Sequence, residues 1–187
     1  MPRITTIIQN VLLSALFVFC LSIQSSWARI DCSKLSHWAK LNNGHKINLK
    51  HVFCGEWSKN RAKGFHARPG GANPTTVRHF TIQDKPNAAG IYTGRWSFQN
   101  RASKNKFSSM FPDDCSSNQI LNSITYASSH PKKCPAGSPH WLSCGSNKPN
   151  DNHKIKSKYC SVNNQLFIIG FAPPRRGKIN TAFPLYK

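Results

Sequence analysis

The alternation of apolar and polar positions predicts short strands arranged around one well-formed helix. Apolar residues recur at helical spacing along residues 111–129, which predicts an amphipathic helix with Asp113 and Asp114 at its N-terminal end. A shorter pattern of the same kind in residues 32–43 predicts a short N-terminal helix that stops at Asn-Asn-Gly. One central helix and one short terminal helix are therefore expected.

A strand is predicted in residues 45–53, with three apolar residues and one histidine on the same face. Ile47, Leu49, His51 and Phe53 fall at alternate positions and would share one face of this strand. His51 is then expected on the apolar side, at the edge of a core or of a cleft. Residues 76–82 and 90–98 are predicted to be strands, and in residues 165–186 two apolar strands flank Pro-Pro-Arg-Arg-Gly, which predicts a C-terminal hairpin.

Two other segments lack such periodicity. Residues 67–76 are rich in Pro and Gly, which predicts a loop, and residues 131–158 suggest a long surface excursion held by disulfides. Helices and strands do not alternate as they do in βαβ units. The expected fold class is therefore α+β, with a single compact domain, a short N-terminal helix, antiparallel sheets and one central helix.

The first 28 residues have the features of a secretory signal peptide. Arg3 precedes a mostly apolar stretch, 11–23, and Ser26 and Ala28 are the small residues of a cleavage site. This stretch is shorter than the roughly 20 residues that span a membrane, although an uncleaved anchor is the alternative. We expect residues 29–187 to be secreted, to the periplasm or the exterior, without stable membrane association.

Six cysteines follow the predicted signal peptide, namely Cys32, Cys54, Cys115, Cys134, Cys144 and Cys160. An even number in a secreted chain predicts up to three disulfides, whose pairing the sequence leaves open. Zinc is the alternative, because His51 and Cys54 have ligand-like spacing, but a second pair at such spacing is missing. We therefore expect a disulfide-stapled domain without a metal site, in which Cys54 anchors the strand of His51. A free thiol at Cys54, behind the strand, is the alternative.

The excess of basic over acidic residues limits the partners and the catalytic mechanisms that the chain can have. The chain has 26 Lys and Arg against 6 Asp and Glu, a net charge of +20, which favours a polyanionic partner such as nucleic acid. The scarcity of carboxylates disfavours paired-carboxylate and two-metal hydrolysis, and no Gly-x-Ser-x-Gly motif supports a serine hydrolase. Histidines and lysines instead suit metal-free RNA cleavage, in which imidazoles move protons and an ammonium stabilises charge on phosphate.

Three blocks of the sequence resemble those of one nuclease family. "HVFCGEW" and "GFHARP" resemble the paired-histidine segment of bacterial EndoU ribonuclease domains, with His51 and His66 in the two histidine places. "KNKFSSMFPDDCSSNQILNSITYA" resembles the family's block of a lysine, a Ser-Thr pair and a helix, and "GKINTAFPLY" resembles its C-terminal block. The chain departs from the pattern at Ser109, where Thr is usual, at Cys115, which is often Trp, and at Phe183, which is often Tyr.

The resemblance implies roles for residues in each block. His51 and His66 become the acid and base pair, in an order that the sequence leaves open. Lys106, or alternatively Lys104, becomes the lysine that stabilises phosphate charge, and Thr181 binds the uracil edge or a phosphate oxygen. Contacts with substrate are expected from Ser108, Ser109, Phe183 and Gly64.

The resemblance also implies an activity and a setting. Members of the family are compact α+β domains that cleave RNA to a 2′,3′-cyclic phosphate, often at uridine, and many bacterial members are toxins with a cognate immunity protein. We expect a monomeric endoribonuclease that acts on single-stranded RNA and needs no cofactor, although manganese stimulates some relatives. The alternative is a non-catalytic cationic protein, or an inactive relative, that binds nucleic acid or a cell surface.

Overall fold

The computed structural model describes residues 29–150 and 157–186, without the side chains of residues 102–104, so the predicted signal peptide lies outside the described residues. The described chain contains one α-helix, α1 (Ser117–Ser129), a π-helical turn (Lys50–Cys54) and a 3-10 turn (Pro69–Gly71). Its strands are β1 (Trp38–Lys40), β2 (Lys46–Asn48), β3 (Glu56–Ser58), β4 (Arg61–Lys63), β5 (Val77–Ile82), β6 (Tyr92–Phe98), β7 (Arg101–Met110), β8 (Pro131–Lys132), β9 (Ser143–Ser146), β10 (Ile168–Phe171), β11 (Lys178–Ile179) and β12 (Ala182–Pro184).

The strands form four small sheets. Their orders are β1-β2-β11, β3-β4, β5-β6-β7 and β12-β10-β9-β8. Within the described chain the named strands pair antiparallel except for β11 against β2. The predicted α+β class with antiparallel sheets and one central helix is confirmed.

Two hydrophobic clusters meet along the segment that carries both candidate histidines. The larger cluster includes Phe53 and lies beneath α1, which packs on β9 and β10. The smaller cluster includes Phe65 and the fully buried Trp96, on the sheet of β5, β6 and β7. Strand β7 also contacts β4 and β12. His51 and His66 therefore lie close to the seam between the two clusters.

Helix α1 begins later than the apolar pattern suggests, because its cap is Ser116. The Ser116 side chain accepts from the backbone N–H of Gln119, and the Gln119 side chain accepts from the backbone N–H of Ser116. Asp113, predicted at the helix start, instead accepts hydrogen bonds from Arg68, at 3.0 Å, and from the Tyr92 hydroxyl. The predicted helix is confirmed over its last thirteen residues.

The predicted short N-terminal helix is wrong, since the apolar residues there belong to a hairpin. Strand β1 pairs with β2 with Trp38 opposite Asn48, and Gly44 has a φ of 86° between them. The Asn-Asn-Gly sequence is thus the turn of a hairpin, which requires a residue of positive φ, instead of a helix stop. This hairpin places the end of β2 directly before the turn that carries His51.

The predicted strands at 76–82 and 90–98 are confirmed as β5 and β6, and 67–76 is an irregular segment with one 3-10 turn. The C-terminal hairpin is confirmed with a change of partner, because β10 pairs with β12 whereas β11 pairs with β2. Arg175 and Lys178 form the bridge that closes the intervening turn. The turn therefore projects from the sheet edge with its basic side chains exposed.

Residues 131–158 are more than the predicted surface excursion, because β9 is an interior strand of the four-stranded sheet. Its sequence, Ser-Cys-Gly-Ser, lacks the bulky apolar residues by which buried strands are recognised. A Cβ on Gly145 would lie 2.2 Å from the carbonyl oxygen of Ala127. The small residue therefore lets α1 lie directly on the strand.

The six cysteines pair as three disulfides, which are Cys32–Cys54, Cys115–Cys160 and Cys134–Cys144. The first ties the turn of His51 to the start of the described chain, the second ties α1 to the approach of β10, and the third closes a loop before β9. The predicted disulfides, including one through Cys54, are confirmed. Across the ranges that the structure describes, no helix has the length and apolar character to cross a membrane.

Candidate active site

The first candidate histidine lies on a tight turn. The prediction of a strand over residues 45–53 is right only for β2, and Lys50–Cys54 forms the π-helical turn, which we call the His51 turn. Gly55 ends it with a φ of 72°, where a Cβ would lie 2.4 Å from the Trp96 ring. His51 is only 8% exposed. It is buried as expected, but the geometry is that of a turn.

The second histidine follows two consecutive left-handed residues in residues 64–67, which we call the His66 segment. Gly64 has a φ of 71° and Phe65 a φ of 57°. The backbone N–H groups of Phe65 and His66 donate to the carbonyls of His51 and Val52 at 2.6 and 2.7 Å. A Cβ on Gly64 would lie 2.1 Å from the His51 carbonyl oxygen, so this approach requires glycine.

The imidazole rings of His51 and His66 lie 6.1 Å apart between centroids and face one open cavity of about 700 Å³. At this separation, groups on the two rings can reach different oxygens of a single phosphate. The other predicted site residues with described side chains line the same cavity, and they are Gly64, Lys106, Ser108, Ser109, Thr181 and Phe183. Lys104 belongs to β7, and its side chain lies outside the described residues.

A carboxylate lies behind His51. The Nδ1 atom of His51 is 2.7 Å from Oε2 of Glu56, so the ring donates its Nδ1–H to the carboxylate. Asn48 Nδ2 donates to both carboxylate oxygens, at 3.2 and 3.3 Å. The hydrogen bond from His51 holds the pKa of Glu56 below its ordinary value, against the opposing effect of burial. A positive charge on the His51 ring would therefore be balanced by an ionised neighbour.

No carboxylate of the described residues forms an ion pair or hydrogen bond with His66. Its Nδ1 atom is 3.0 Å from the carbonyl oxygen of Ser109, which can only accept, so Nδ1 carries the hydrogen and Nε2 of the neutral ring is an acceptor. The ring of Phe183 stacks on it at 5.1 Å. Burial, then the charges of Lys106 and His51, lower the pKa of His66 well below its ordinary value. The ring is therefore neutral near pH 7.

Lys106 is partly buried, and no acidic side chain of the described residues pairs with it. Lys106 Nζ donates to Ser108 Oγ at 2.8 Å and to the Phe107 carbonyl at 2.9 Å. Burial lowers the pKa of Lys106 to about 8. An ammonium held only by neutral acceptors retains its attraction for an anion that enters the cavity.

Ser108 has no hydrogen-bonding capacity left for a ligand. Its hydroxyl donates to the Gly64 carbonyl at 3.1 Å and accepts from Trp96 Nε1 at 3.1 Å as well as from Lys106. One donor and two acceptor positions are all that a serine hydroxyl offers. With 2% exposure, Ser108 links the lysine to the glycine beside His51.

The cavity also contains residues that the sequence did not suggest. Arg61 and Lys63 of β4 add positive charge to its wall, and Phe107 and Trp141 are exposed aromatic residues at its rim. Charges this common in the chain give no positional signal. Trp141 lies in the polar segment 131–158, whose pattern gives no reason to expect a residue of the cavity. The signal that could have found it is the presence of a tryptophan in so polar a segment.

The described residues offer no metal centre of the usual kind. Nowhere among them do three or more His, Cys, Asp or Glu side chains converge as metal ligands do. His51 and Cys54, which have ligand-like spacing, are instead committed to Glu56 and to a disulfide. What the cavity offers is a neutral imidazole, a carboxylate-backed imidazole and an ammonium.

Comparisons with known proteins agree with this geometry. No curated protein and no solved structure is significantly similar to the chain in these comparisons. A family model described as bacterial EndoU nuclease matches residues 45–186, a span that includes the His51 turn, the His66 segment, β7 and the C-terminal strands. Since this match covers most of the chain and every described side chain predicted for the site, the chain belongs to the bacterial EndoU nuclease family.

Proposed function

We propose that this nuclease is an endoribonuclease that cleaves single-stranded RNA by attack of a ribose 2′-hydroxyl on the adjacent phosphate. The observation that carries the proposal is the pair of imidazoles 6.1 Å apart with opposite neighbours. The 2′-oxygen bonds to phosphorus, the bond from phosphorus to the 5′-oxygen breaks, and the products are a 2′,3′-cyclic phosphate and a 5′-hydroxyl. One proton must be removed from the attacking oxygen and one supplied to the leaving oxygen.

His66 is suited to remove the proton. Its Nδ1–H is held by the Ser109 carbonyl, which leaves the Nε2 lone pair available. A general base must be neutral at the working pH, and the lowered pKa of His66 satisfies this requirement. In the reaction the ring takes the 2′-hydroxyl proton and becomes an imidazolium.

His51 is suited to supply the proton. Its Nδ1–H is engaged with Glu56, so a proton on the opposite nitrogen, Nε2, is the one available for donation. The ionised carboxylate balances the positive charge of the imidazolium form. Glu56 thus orients the acid, and the base has only a neutral carbonyl behind it.

The remaining cavity residues bind and stabilise. Lys106 would stabilise the charge that develops on the phosphate oxygens, and Ser108 holds its ammonium in position. Phe183, stacked on His66, is placed to pack on the ribose or base of the attacking nucleotide. Thr181 would bond the uracil edge or a phosphate oxygen, which is the basis for a uridine preference, and Ser109 and Gly64 complete the wall.

The biological setting follows from charge and cysteines. Three disulfides suit an oxidising compartment, which supports secretion to the periplasm or the exterior. The net charge of +20 suits RNA as the partner. A monomeric antibacterial toxin with a cognate immunity protein fits these features. Because the two protons are moved by imidazoles, metal-dependent cleavage is not expected, although stimulation by manganese is compatible with the proposal.

An RNA oligonucleotide and its 2′-deoxy counterpart at the cut position test the mechanism. The purified domain, 29–187, should cut only the RNA, in the presence of EDTA, and mass spectrometry should find a 2′,3′-cyclic phosphate. A cut deoxy substrate, or a 3′-hydroxyl with a 5′-phosphate, contradicts the mechanism. Tight binding of both oligonucleotides without cleavage would favour the alternative of a non-catalytic cationic protein.

A further inference from the structure

Trp141 links the active-site cavity to a second cavity. Its side chain is 53% exposed, the largest exposed fraction among the bulky apolar residues of the described chain that remain open to solvent. It lines both the cavity of the two histidines and a neighbouring one of about 520 Å³. A tryptophan shared in this way lies on the path of a polymer that continues from the active site into the second cavity.

The second cavity has the chemistry of a phosphate-binding groove. Arg175, Lys178 and His140 line it together with Asn180, and no acidic side chain of the described residues does. A third cavity, of about 330 Å³, shares Phe107 and Ser109 with the active-site cavity, and its lining among the described residues includes Asp84 but no Lys or Arg. A polyanion leaving the active site is therefore favoured on the Trp141 side.

Of the Arg and Lys side chains that line this groove among the described residues, that of Arg175 is the more available to a ligand. The ammonium of Lys178 already lies 5.2 Å from the centroid of the Trp38 ring. Arg175 is exposed, and its backbone is fixed by hydrogen bonds with Lys178, 3.0 Å in each direction. A guanidinium on a fixed turn can hold a phosphate by two parallel hydrogen bonds.

The backbone around Trp141 is fixed before any ligand binds. The disulfide Cys134–Cys144 closes its loop, and the backbone N–H of Leu142 donates to the Pro139 carbonyl at 3.0 Å. Leu142 is 8% exposed and packs over Gly170, where a Cβ would lie 2.8 Å from its side chain. An aromatic side chain on a fixed backbone loses little freedom when a base stacks on it.

The order of the rings gives the groove a direction along RNA. Ring centroids follow one another from His51 to His66 at 6.1 Å, from His66 to Phe183 at 5.1 Å, and from Phe183 to Trp141 at 6.4 Å. With His66 as base, the attacking ribose lies on its side of the phosphate, next to Phe183. Trp141 then lies one step further toward the 5′ end.

We propose that Trp141 and Arg175 form a subsite for the nucleotide immediately 5′ of the one whose 2′-hydroxyl attacks, an inference that rests on the proposed endoribonuclease function. The base of that nucleotide stacks on Trp141, and the phosphate that joins it to the attacking nucleotide is bound by Arg175. Stacking accepts any base, so the subsite adds affinity and sets the direction of the strand without adding sequence specificity.

Three substrates test the stacking contact, namely a dinucleotide, the same dinucleotide with one nucleotide added at its 5′ end, and the same with one added at its 3′ end. The 5′ addition should lower KM about tenfold, and Trp141→Ala should remove that gain, so that the variant has about the same KM for the dinucleotide and for the 5′-extended substrate. Leu166→Ala, which removes an exposed apolar side chain outside these cavities, should keep the gain.

Binding of an uncleavable 2′-deoxy trinucleotide tests the phosphate contact without requiring catalysis. Arg175→Gln should lower the slope of log affinity against log salt by about 0.7, the value for one phosphate on a single strand. Arg176→Gln is the matched control, because Arg176 is the next residue, has the same charge and does not line the groove. Equal effects of the two variants would mean general attraction only and would overturn the subsite.

The outcomes separate this inference from the proposed function. Failure of the wild-type protein to cut any of the three RNAs would refute the proposed function, and binding of the trinucleotide would still decide whether Trp141 and Arg175 form a subsite. If the dinucleotide is cut but Trp141→Ala keeps the 5′ gain, or loses the 3′ gain instead, the subsite or its direction is wrong.

Discussion

The His51 turn and the His66 segment present the same side chain to the same cavity in opposite ways. The His51 turn is tied by a disulfide through Cys54, and its ring faces the carboxylate of Glu56. The His66 segment is held by backbone hydrogen bonds to the His51 turn, and its ring lies between a backbone carbonyl and Phe183. The two rings therefore differ in the atom that accepts the Nδ1–H, which is a carboxylate oxygen behind His51 and a backbone carbonyl oxygen behind His66.

Removal of either histidine should have the largest effect. His51→Ala and His66→Ala are each expected to lower kcat on RNA by about 10²–10⁴, the usual contribution of one acid or base. A uridine 3′-aryl phosphodiester sharpens the comparison, because its leaving group needs no proton. It should restore much of the rate of His51→Ala and little of the rate of His66→Ala.

The exposed His79 supplies the control for this experiment, since His79→Ala should keep full activity. Circular dichroism should show that all three variants are folded. Restoration of His66→Ala by the aryl substrate in place of His51→Ala would reverse the assignment of acid and base. A normally folded variant of either histidine with near wild-type activity would show that the pair is not the site.

Loss of the Cys32–Cys54 disulfide should affect the two regions unequally. Its closed loop, with a sequence separation of 22, corresponds to about 3 kcal/mol of unfolding free energy in the chain-entropy model. Urea denaturation of Cys32→Ala/Cys54→Ala should measure that loss, and kcat should fall as well because the His51 turn loses its anchor.

The disulfide between Cys134 and Cys144 provides the comparison. Its sequence separation of 10 predicts a somewhat smaller loss of stability on removal, and a normal kcat on the dinucleotide, since its loop carries neither histidine. Six free thiols in the folded protein isolated from its host would contradict the role of both disulfides.

Glu56→Gln should impair the proposed acid, His51, and leave the proposed base, His66, unaffected. Gln can still accept the Nδ1–H of His51 but no longer balances an imidazolium, and the loss of a charge-assisted hydrogen bond corresponds to a decrease of about 10- to 100-fold in kcat on RNA. The decrease should be much smaller on the aryl substrate. Asp31→Asn removes an equal charge from an acid paired with Lys34 and should leave both rates unchanged.

Lys106→Arg should have the smallest effect, confined to high pH. Lys106 is charged below its pKa of about 8 and loses its charge as the pH rises through that value, whereas arginine remains charged. The affinity of the wild type for the uncleavable trinucleotide should therefore fall relative to Lys106→Arg between pH 7 and 9, by up to about tenfold. A constant ratio of the two affinities across this range would show that Lys106 does not contact the phosphate.

Sequence patterns predicted those helices and strands that are determined by residues close together in the chain. The apolar stripe of α1 and the strand character of residues 76–82 and 90–98 depend on neighbouring residues, and the helix and both strands are confirmed. The His51 turn was predicted as a strand because alternation over residues 45–53 continues past β2. Its course is decided by partners distant in sequence, including the Phe65 N–H that bonds to the His51 carbonyl.

The candidate site was recognisable from its motif, but its chemistry was not. Assignment of acid and base depends on Glu56, five residues from His51, and on Ser109, 43 residues from His66. Ser108 resembled a substrate contact by motif, yet its hydroxyl is used within the protein. Trp141 lies in a segment without any apolar period, so only the folded chain brings it to the cavity.

Phe65 makes the position of His66 depend on the smaller hydrophobic cluster. A bulky residue at a φ of 57° costs on the order of 1–3 kcal/mol, and this cost is offset by a ring with 0% exposure that packs edge-on against Trp96 and Phe80. Because Phe65 directly precedes His66, the packing of this ring helps to hold the backbone that presents His66 to the cavity. The placement of a candidate catalytic residue therefore depends on the packing of a neighbouring core side chain, so a substitution in the smaller hydrophobic cluster can displace His66 without touching the cavity.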